Sequence, residues 1–139
     1  MLANKEVAKG FEPGAHASTY GGNPLVCKAA LTVLQVIERD GLAAHAGVMG
    51  DVLGTGLQSL VERFDSVLEV RGRGLMRGLG VDPQALDRAA VMSTCREHGL
   101  LMTNAGADAM RFVPPLITGP SHIEEAVEIL GTVLDGLNQ

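Results

Sequence analysis

Val67-Leu68-Glu69-Val70-Arg71-Gly72-Arg73-Gly74-Leu75-Met76-Arg77-Gly78-Leu79-Gly80-Val81 is the stretch in which the hydrophobic period of this chain changes. Val67–Val70 and Leu75–Val81 are short aliphatic runs on either side of a glycine-rich connection, the pattern of two strands rather than of a helix turn. Upstream the apolar residues keep a helical spacing. Asn23 followed by Pro24 reads as an N-cap with proline at the first helical position, and Val26, Ala29, Ala30, Val33 and Ile37 continue one face until Gly41. Leu42, Ala46, Met49, Leu53, Leu57, Leu60 and Phe64 write a second amphipathic helix. Its Gly47, Gly50, Gly54 and Gly56 each cost about 1 kcal/mol against alanine, so tertiary packing has to hold it.

Downstream, Pro83 to His98 returns to helix and Gly99 closes it. Leu100–Thr103 and Met110–Val113 are strand candidates around Asn104-Ala105-Gly106-Ala107-Asp108, which suits a hairpin. A last helix is expected behind a capping box of Ser121 and Glu124, with Ile123, Val127, Leu130 and Leu134 on one face. The order helix, helix, strand, strand, helix, strand, strand, helix predicts an α+β fold, a mixed or antiparallel sheet covered by helices, rather than a doubly wound nucleotide fold. There is no internal repeat or low-complexity segment.

Bulk properties narrow the function. At 139 residues the chain suffices for one domain with a core, and 46% apolar with 19% charged residues excludes disorder. No apolar run approaches the roughly 18 to 20 residues that span a bilayer. A net charge of −5 and 3% aromatics argue against nucleic acid as a partner. Cys27 and Cys95 lack CxxC spacing and sit in helical patterns, so reduced structural thiols in a cytoplasmic protein are expected. Met1-Leu2-Ala3 followed by Asn4-Lys5-Glu6 does not read as a secretory leader. The four histidines have no ligand spacing, and no metal site is expected.

Two places could carry chemistry. Gly14-Ala15-His16-Ala17-Ser18-Thr19-Tyr20-Gly21-Gly22-Asn23-Pro24 brings hydroxyls and small residues to a helix N-terminus, where free N–H groups and the helix dipole favour a phosphate. It lacks a GK[ST] ending, and a plain interdomain linker would read the same way. Ala109-Met110-Arg111-Phe112-Val113-Pro114-Pro115-Leu116 places an arginine inside an apolar strand. Its guanidinium could take a carboxylate through two parallel hydrogen bonds. The alternative is an edge-strand arginine reaching to water or to an acidic neighbour. Turn chemistry alone accounts for Arg71-Gly72-Arg73-Gly74, and Glu124-Glu125 suit the first turn of a helix.

Taken together, residues 13–25, Val70-Arg71-Gly72-Arg73-Gly74-Leu75-Met76 and residues 104–116 resemble the class III pyridoxal-phosphate-dependent aminotransferases over essentially the whole chain. Within the class, His16-Ala17-Ser18-Thr19-Tyr20-Gly21-Gly22 and Asn104-Ala105-Gly106-Ala107-Asp108 are most like the acetylornithine branch of arginine biosynthesis. The resemblance implies the small C-terminal domain of a fold-type I transferase. Residues 1–22 would be a remnant of the large cofactor-binding domain, 23–40 a connecting helix and 41–139 the small domain. It implies that Thr19 binds the pyridoxal phosphate of the neighbouring subunit in a homodimer. Ser18 would lie beside the acylated substrate, and Arg111 would take the α-carboxylate of an amino-acid or 2-oxo-acid substrate. It also implies that the Schiff-base lysine lies upstream of Met1. Lys5, Lys9 and Lys28 do not match it, and no catalytic residue is assigned within the chain. Relatives usually continue the strand that here passes abruptly from Leu79-Gly80-Val81 to Asp82-Pro83. Three rivals remain at this point: a non-catalytic α+β module that holds an amino or keto acid on Arg111, another class III activity with ornithine or succinyl-diaminopimelate as donor, and a truncated fragment with no function of its own.

Overall fold

The computed structural model describes residues 3–12, 14–15 and 18–137. The chain divides into two compact units, residues 1–39 and 40–139. The first holds a short helix α1 (Lys5–Ala8) and the long helix α2 (Pro24–Arg39). Asn4 caps α1, its Oδ1 accepting from the N–H groups of Glu6 and Val7. The expected cap of α2 is present: Asn23 Oδ1 accepts from the Leu25 N–H at 2.9 Å, and Pro24 takes the first helical position. No described residue of α2 is buried, and Leu25, Leu31, Val33 and Leu34 are exposed along it.

The second unit holds α3 (Leu42–Arg63), β1 (Val67–Arg73), β2 (Met76–Val81), α4 (Arg88–Glu97), β3 (Thr103–Ala105), β4 (Ala109–Phe112) and α5 (Pro120–Leu137). The four strands form one antiparallel sheet in the order β1-β2-β4-β3. Helix α3 lies on β1 and β2, α4 on β4, and α5 packs against both helices. The α+β expectation therefore holds, with the helices on one face of the sheet. Leu53 and Leu57 from α3, Leu79 from β2, Met110 from β4 and Leu130 and Leu134 from α5 meet in the core, all essentially without solvent contact. Val91 and Cys95 add the buried face of α4. Cys95 is a free thiol whose burial pushes its pKa up to about 11, as suits a structural cysteine, whereas the equally free Cys27 is exposed on α2. No helix among the described residues is long and apolar enough to cross a membrane.

Three local expectations need correction. Helix α4 begins at Arg88 rather than Pro83. Asp82 first closes a turn, its Oδ1 accepting from the Gln84 N–H at 2.8 Å, and Asp87 then caps the helix by accepting from the amides of Ala89 and Ala90. Leu100 was expected to start a strand, but its N–H returns to the carbonyl of Cys95 around left-handed Gly99, so strand pairing starts only at Thr103. In α5 the helix starts one residue ahead of Ser121, at Pro120. His122 accepts from the Gly119 N–H through Nδ1 at 3.3 Å, so an imidazole stands three positions after the cap, where a capping box uses a carboxylate.

Gly50, Gly54 and Gly56 of α3 find their reason in packing, whereas nothing among the described residues packs against Gly47. Gly50 lies against the backbone of Gly74 in the β1–β2 turn, Gly54 under the Arg77 guanidinium and Gly56 beside Val127. Arg77 seals this contact by donating to the carbonyl oxygens of Gly50, Gly72 and Gly74 at 2.8–3.1 Å. A methyl group at position 50 would be driven into the Gly74 main chain, which cannot yield without moving the turn. Gly50→Ala is therefore expected to lower the unfolding free energy by about 1–3 kcal/mol despite its better helix propensity, measured by chemical denaturation.

Candidate substrate-binding site

The strand register brings four residues into one row across the face of the sheet that α3 and α4 leave uncovered. Arg71 of β1 pairs with Gly78 of β2, Gly78 with Arg111 of β4, and Arg111 with Thr103 of β3. Directly paired residues project from the same face of an antiparallel sheet, so the two arginines and the threonine share this side. Leu79 and Met110, one residue along, project into the core instead. Gly78 lies between the two guanidinium-bearing strands without a side chain. Arg71, Gly78 and Arg111 of this row, with Arg73, Met76, Ala105 and Ala109, line a depression of about 330 Å³.

The two arginines are partnered differently. Arg71 donates to Asp108 through both terminal nitrogens, at 3.1 and 2.8 Å, and to Glu69 through Nε at 2.7 Å. It spans β2 to do so, passing Gly80, where a Cβ would lie 3.0 Å from Glu69 Cγ and 3.4 Å from the Arg71 guanidinium. Its charge is thus matched by two carboxylates, and its pKa is raised further above the ordinary arginine value. Arg111 has no carboxylate partner among the described residues; its Nε donates to the Thr103 hydroxyl at 3.1 Å. An exposed guanidinium with its terminal nitrogens uncommitted is chemically ready to take a carboxylate. Strand β4 is interior to the sheet rather than at its edge, and the Arg111 side chain is exposed to solvent.

Ser18 and Thr19 lie in the first unit, in the exposed loop before α2. The Ser18 Oγ accepts from the Gly21 N–H at 3.1 Å. The Thr19 hydroxyl is exposed and has no hydrogen-bond partner among the described residues. Pro13, His16 and Ala17 of the same motif lie outside the described residues. Lys9 pairs with Glu6 at 3.2 Å, and Lys5 and Lys28 are exposed on α1 and α2. Among the described residues no group of three or more His, Cys, Asp or Glu gathers to hold a metal ion. Sequence reasoning missed Thr103 and the Glu69–Arg71–Asp108 cluster. The shared parity of Glu69, Arg71 and Arg73 on one strand was a signal, but it gives no partner until the register is known.

Asp108 sits in the three-residue turn of the β3–β4 hairpin, whose Gly106 has φ +65°. The hydrogen bonds from Arg71 hold its carboxyl below the usual carboxylate range. A carboxylate whose folded pKa is depressed stabilises the fold above its unfolded pKa of about 4, and that contribution is lost as pH falls through the folded value. Asp108→Asn is accordingly expected to lower the denaturation midpoint at about pH 6, with the difference from wild type shrinking as pH falls below the ordinary carboxylate pKa of about 4. Urea titrations at a series of pH values would measure it.

Comparison with known proteins gives this geometry a family. The class-III aminotransferase profile matches residues 1–134. The acetylornithine aminotransferase of Gloeobacter violaceus is 47% identical over 131 residues, covering 93% of this chain and 32% of that protein. A probable mitochondrial ornithine aminotransferase of Caenorhabditis elegans is 37% identical over 100% of this chain and 32% of its own length. Among solved structures, the ornithine aminotransferase of Toxoplasma gondii superposes with a TM-score of 0.79 at 32% identity, covering 94% of this chain and 31% of that one. The Plasmodium falciparum ornithine δ-aminotransferase gives 0.84 at 28% identity, with 99% and 35% covered. The chain thus spans about a third of the length of the curated relatives it matches. With a profile match along nearly its full length and this agreement in fold, the chain belongs to the class III aminotransferases, a pyridoxal-phosphate-dependent family.

Proposed function

We propose that this chain is the small-domain part of an acetylornithine:2-oxoglutarate aminotransferase of arginine biosynthesis, a cytoplasmic homodimer when complete, and that it is catalytically silent by itself. The observation that carries the reading is Arg111, a guanidinium on the open face of an interior strand with no carboxylate partner among the described residues. In this role Arg111 takes the α-carboxylate of the amino donor and then of the 2-oxo acid, fixing the Cα of either substrate by a two-point contact. The acetylornithine assignment is supported by the curated relatives of that name at 38–47% identity.

The residues present fit the family's cofactor. Thr19 offers an exposed hydroxyl, unbonded among the described residues, just ahead of the α2 N-terminus, a donor suited to a phosphate oxygen, and Ser18 stands beside it for the acylated substrate. Pyridoxal phosphate, when bound, supplies the electron sink through which an amino group leaves one carbon skeleton for another. The boundaries 1–22, 23–40 and 41–139 then correspond to the remnant of the large domain, a connecting helix and the small domain. The lysine that holds the cofactor belongs to the large domain, and Lys5, Lys9 and Lys28 take no part.

Two measurements test the reading. The purified chain mixed with pyridoxal phosphate, reduced with borohydride and analysed by mass spectrometry is expected to carry no stoichiometric adduct on any lysine. It is also expected to show no transamination. A specific adduct on Lys5, Lys9 or Lys28 would place the active site elsewhere. In the complete enzyme, Arg111→Lys is expected to raise KM for both amino and 2-oxo acid by about 10- to 150-fold, the worth of a hydrogen bond to a charged group. An unchanged KM would remove Arg111 from the substrate site.

A further inference from the structure

We propose that Thr103 is a positioning residue for Arg111, committing its guanidinium to carboxylate binding through the two terminal nitrogens alone; this rests on the carboxylate role of Arg111 given above. A free guanidinium can meet a carboxylate in two ways. It can use both terminal nitrogens, end-on, or Nε with one terminal nitrogen, side-on. In this structure Nε is already committed, donating to Thr103 Oγ1 at 3.1 Å. The side-on edge is thereby taken, and only the end-on pair remains open for an incoming carboxylate.

The placement is built in by the register. Thr103 and Arg111 are directly paired on β3 and β4, so their side chains leave the same face from adjacent strands. On the other flank Gly78 has no side chain to support the guanidinium. Arg71, the next side chain along the row, is committed to Glu69 and Asp108 and carries the same charge as Arg111. Thr103 is therefore the one hydrogen-bonding neighbour among the described residues that orients Arg111. A hydroxyl suits this task better than a carboxylate would. It fixes the direction of the guanidinium while leaving its charge unneutralised, whereas an acid at position 103 would compete with the substrate. Threonine also keeps the β-branched shape that favours a strand, so position 103 serves the hairpin and the site together.

The variants that separate these roles are Thr103→Val, which keeps the shape and loses the acceptor, Thr103→Ser, which keeps the acceptor, and Arg111→Ala. The full 139-residue chain, labelled at the arginine side chains, would be titrated with 2-oxoglutarate and followed by NMR at the Arg111 Nε–H resonance, with calorimetry for affinity. Thr103→Val is expected to weaken binding about 5-fold, within the range of one modest hydrogen bond, and to speed exchange of the Nε proton with water. Thr103→Ser should match wild type, and the thermal midpoint of Thr103→Val should stay close to that of wild type. If Thr103→Val binds as tightly as wild type while Arg111→Ala loses binding, the positioning role is overturned and the carboxylate role of Arg111 stands. If Thr103→Val weakens binding but Thr103→Ser does not restore it, the effect belongs to packing and the proposal also falls. If Arg111→Ala binds like wild type, or wild type shows no saturable response, the reading of Arg111 itself is overturned and the inference goes with it.

Discussion

Leu79 and Met110 face each other on neighbouring strands and are both fully buried in the core. This pair holds the register on which everything else in the second unit depends. Side chains alternate along a strand, so a slip of one residue between β2 and β4 would carry a leucine or methionine to water and drive Arg111 into the core. The cost of burying an unpaired guanidinium adds to the loss of apolar burial, and both penalties oppose the same error. The charged row of the open face is thus set from the opposite side of the sheet, by hydrophobic packing it never touches.

That row also divides two guanidiniums between two duties. Arg71 is held by two carboxylates and ties β1 to the β3–β4 turn, while Arg111 is held only by a hydroxyl. Both are exposed enough for water and salt to weaken their electrostatics, so the difference between them lies in geometry and committed donors. Gly78 and Gly80 make the arrangement possible. In the middle of a strand they weaken β structure, yet they leave the space through which Arg71 crosses β2 and in which the depression beside Arg111 opens.

The same trade recurs in α3. By propensity its glycines look like a fault in an otherwise regular amphipathic helix. Gly50, Gly54 and Gly56 become intelligible only beside the β1–β2 turn, the Arg77 side chain and Val127 of α5, each of which occupies the volume that a side chain would need. Close approach of the helix to the turn lets Arg77 satisfy main-chain carbonyl oxygens on both elements, which locks the hairpin to the helix that covers it.

The α+β class, the long helices α2, α3 and α5, the two hairpins and Arg111 as a guanidinium inside an apolar strand were all legible along the chain. These follow from periodicity, from the Asn23-Pro24 cap and from residue chemistry, all of which act over a few neighbouring positions. The sequence misplaced the starts of α4, β3 and α5 where local signals competed: a second acidic cap at Asp87, a helix closure that consumed the Leu100 amide, and Pro120 ahead of the expected cap. That Thr103 meets Arg111, that Arg71 belongs to Asp108 and Glu69, and that Gly50 must be a glycine emerged from the folded molecule alone. Each of these is a contact between residues brought together by strand register or helix packing, and no local pattern encodes a partner that lies on another element.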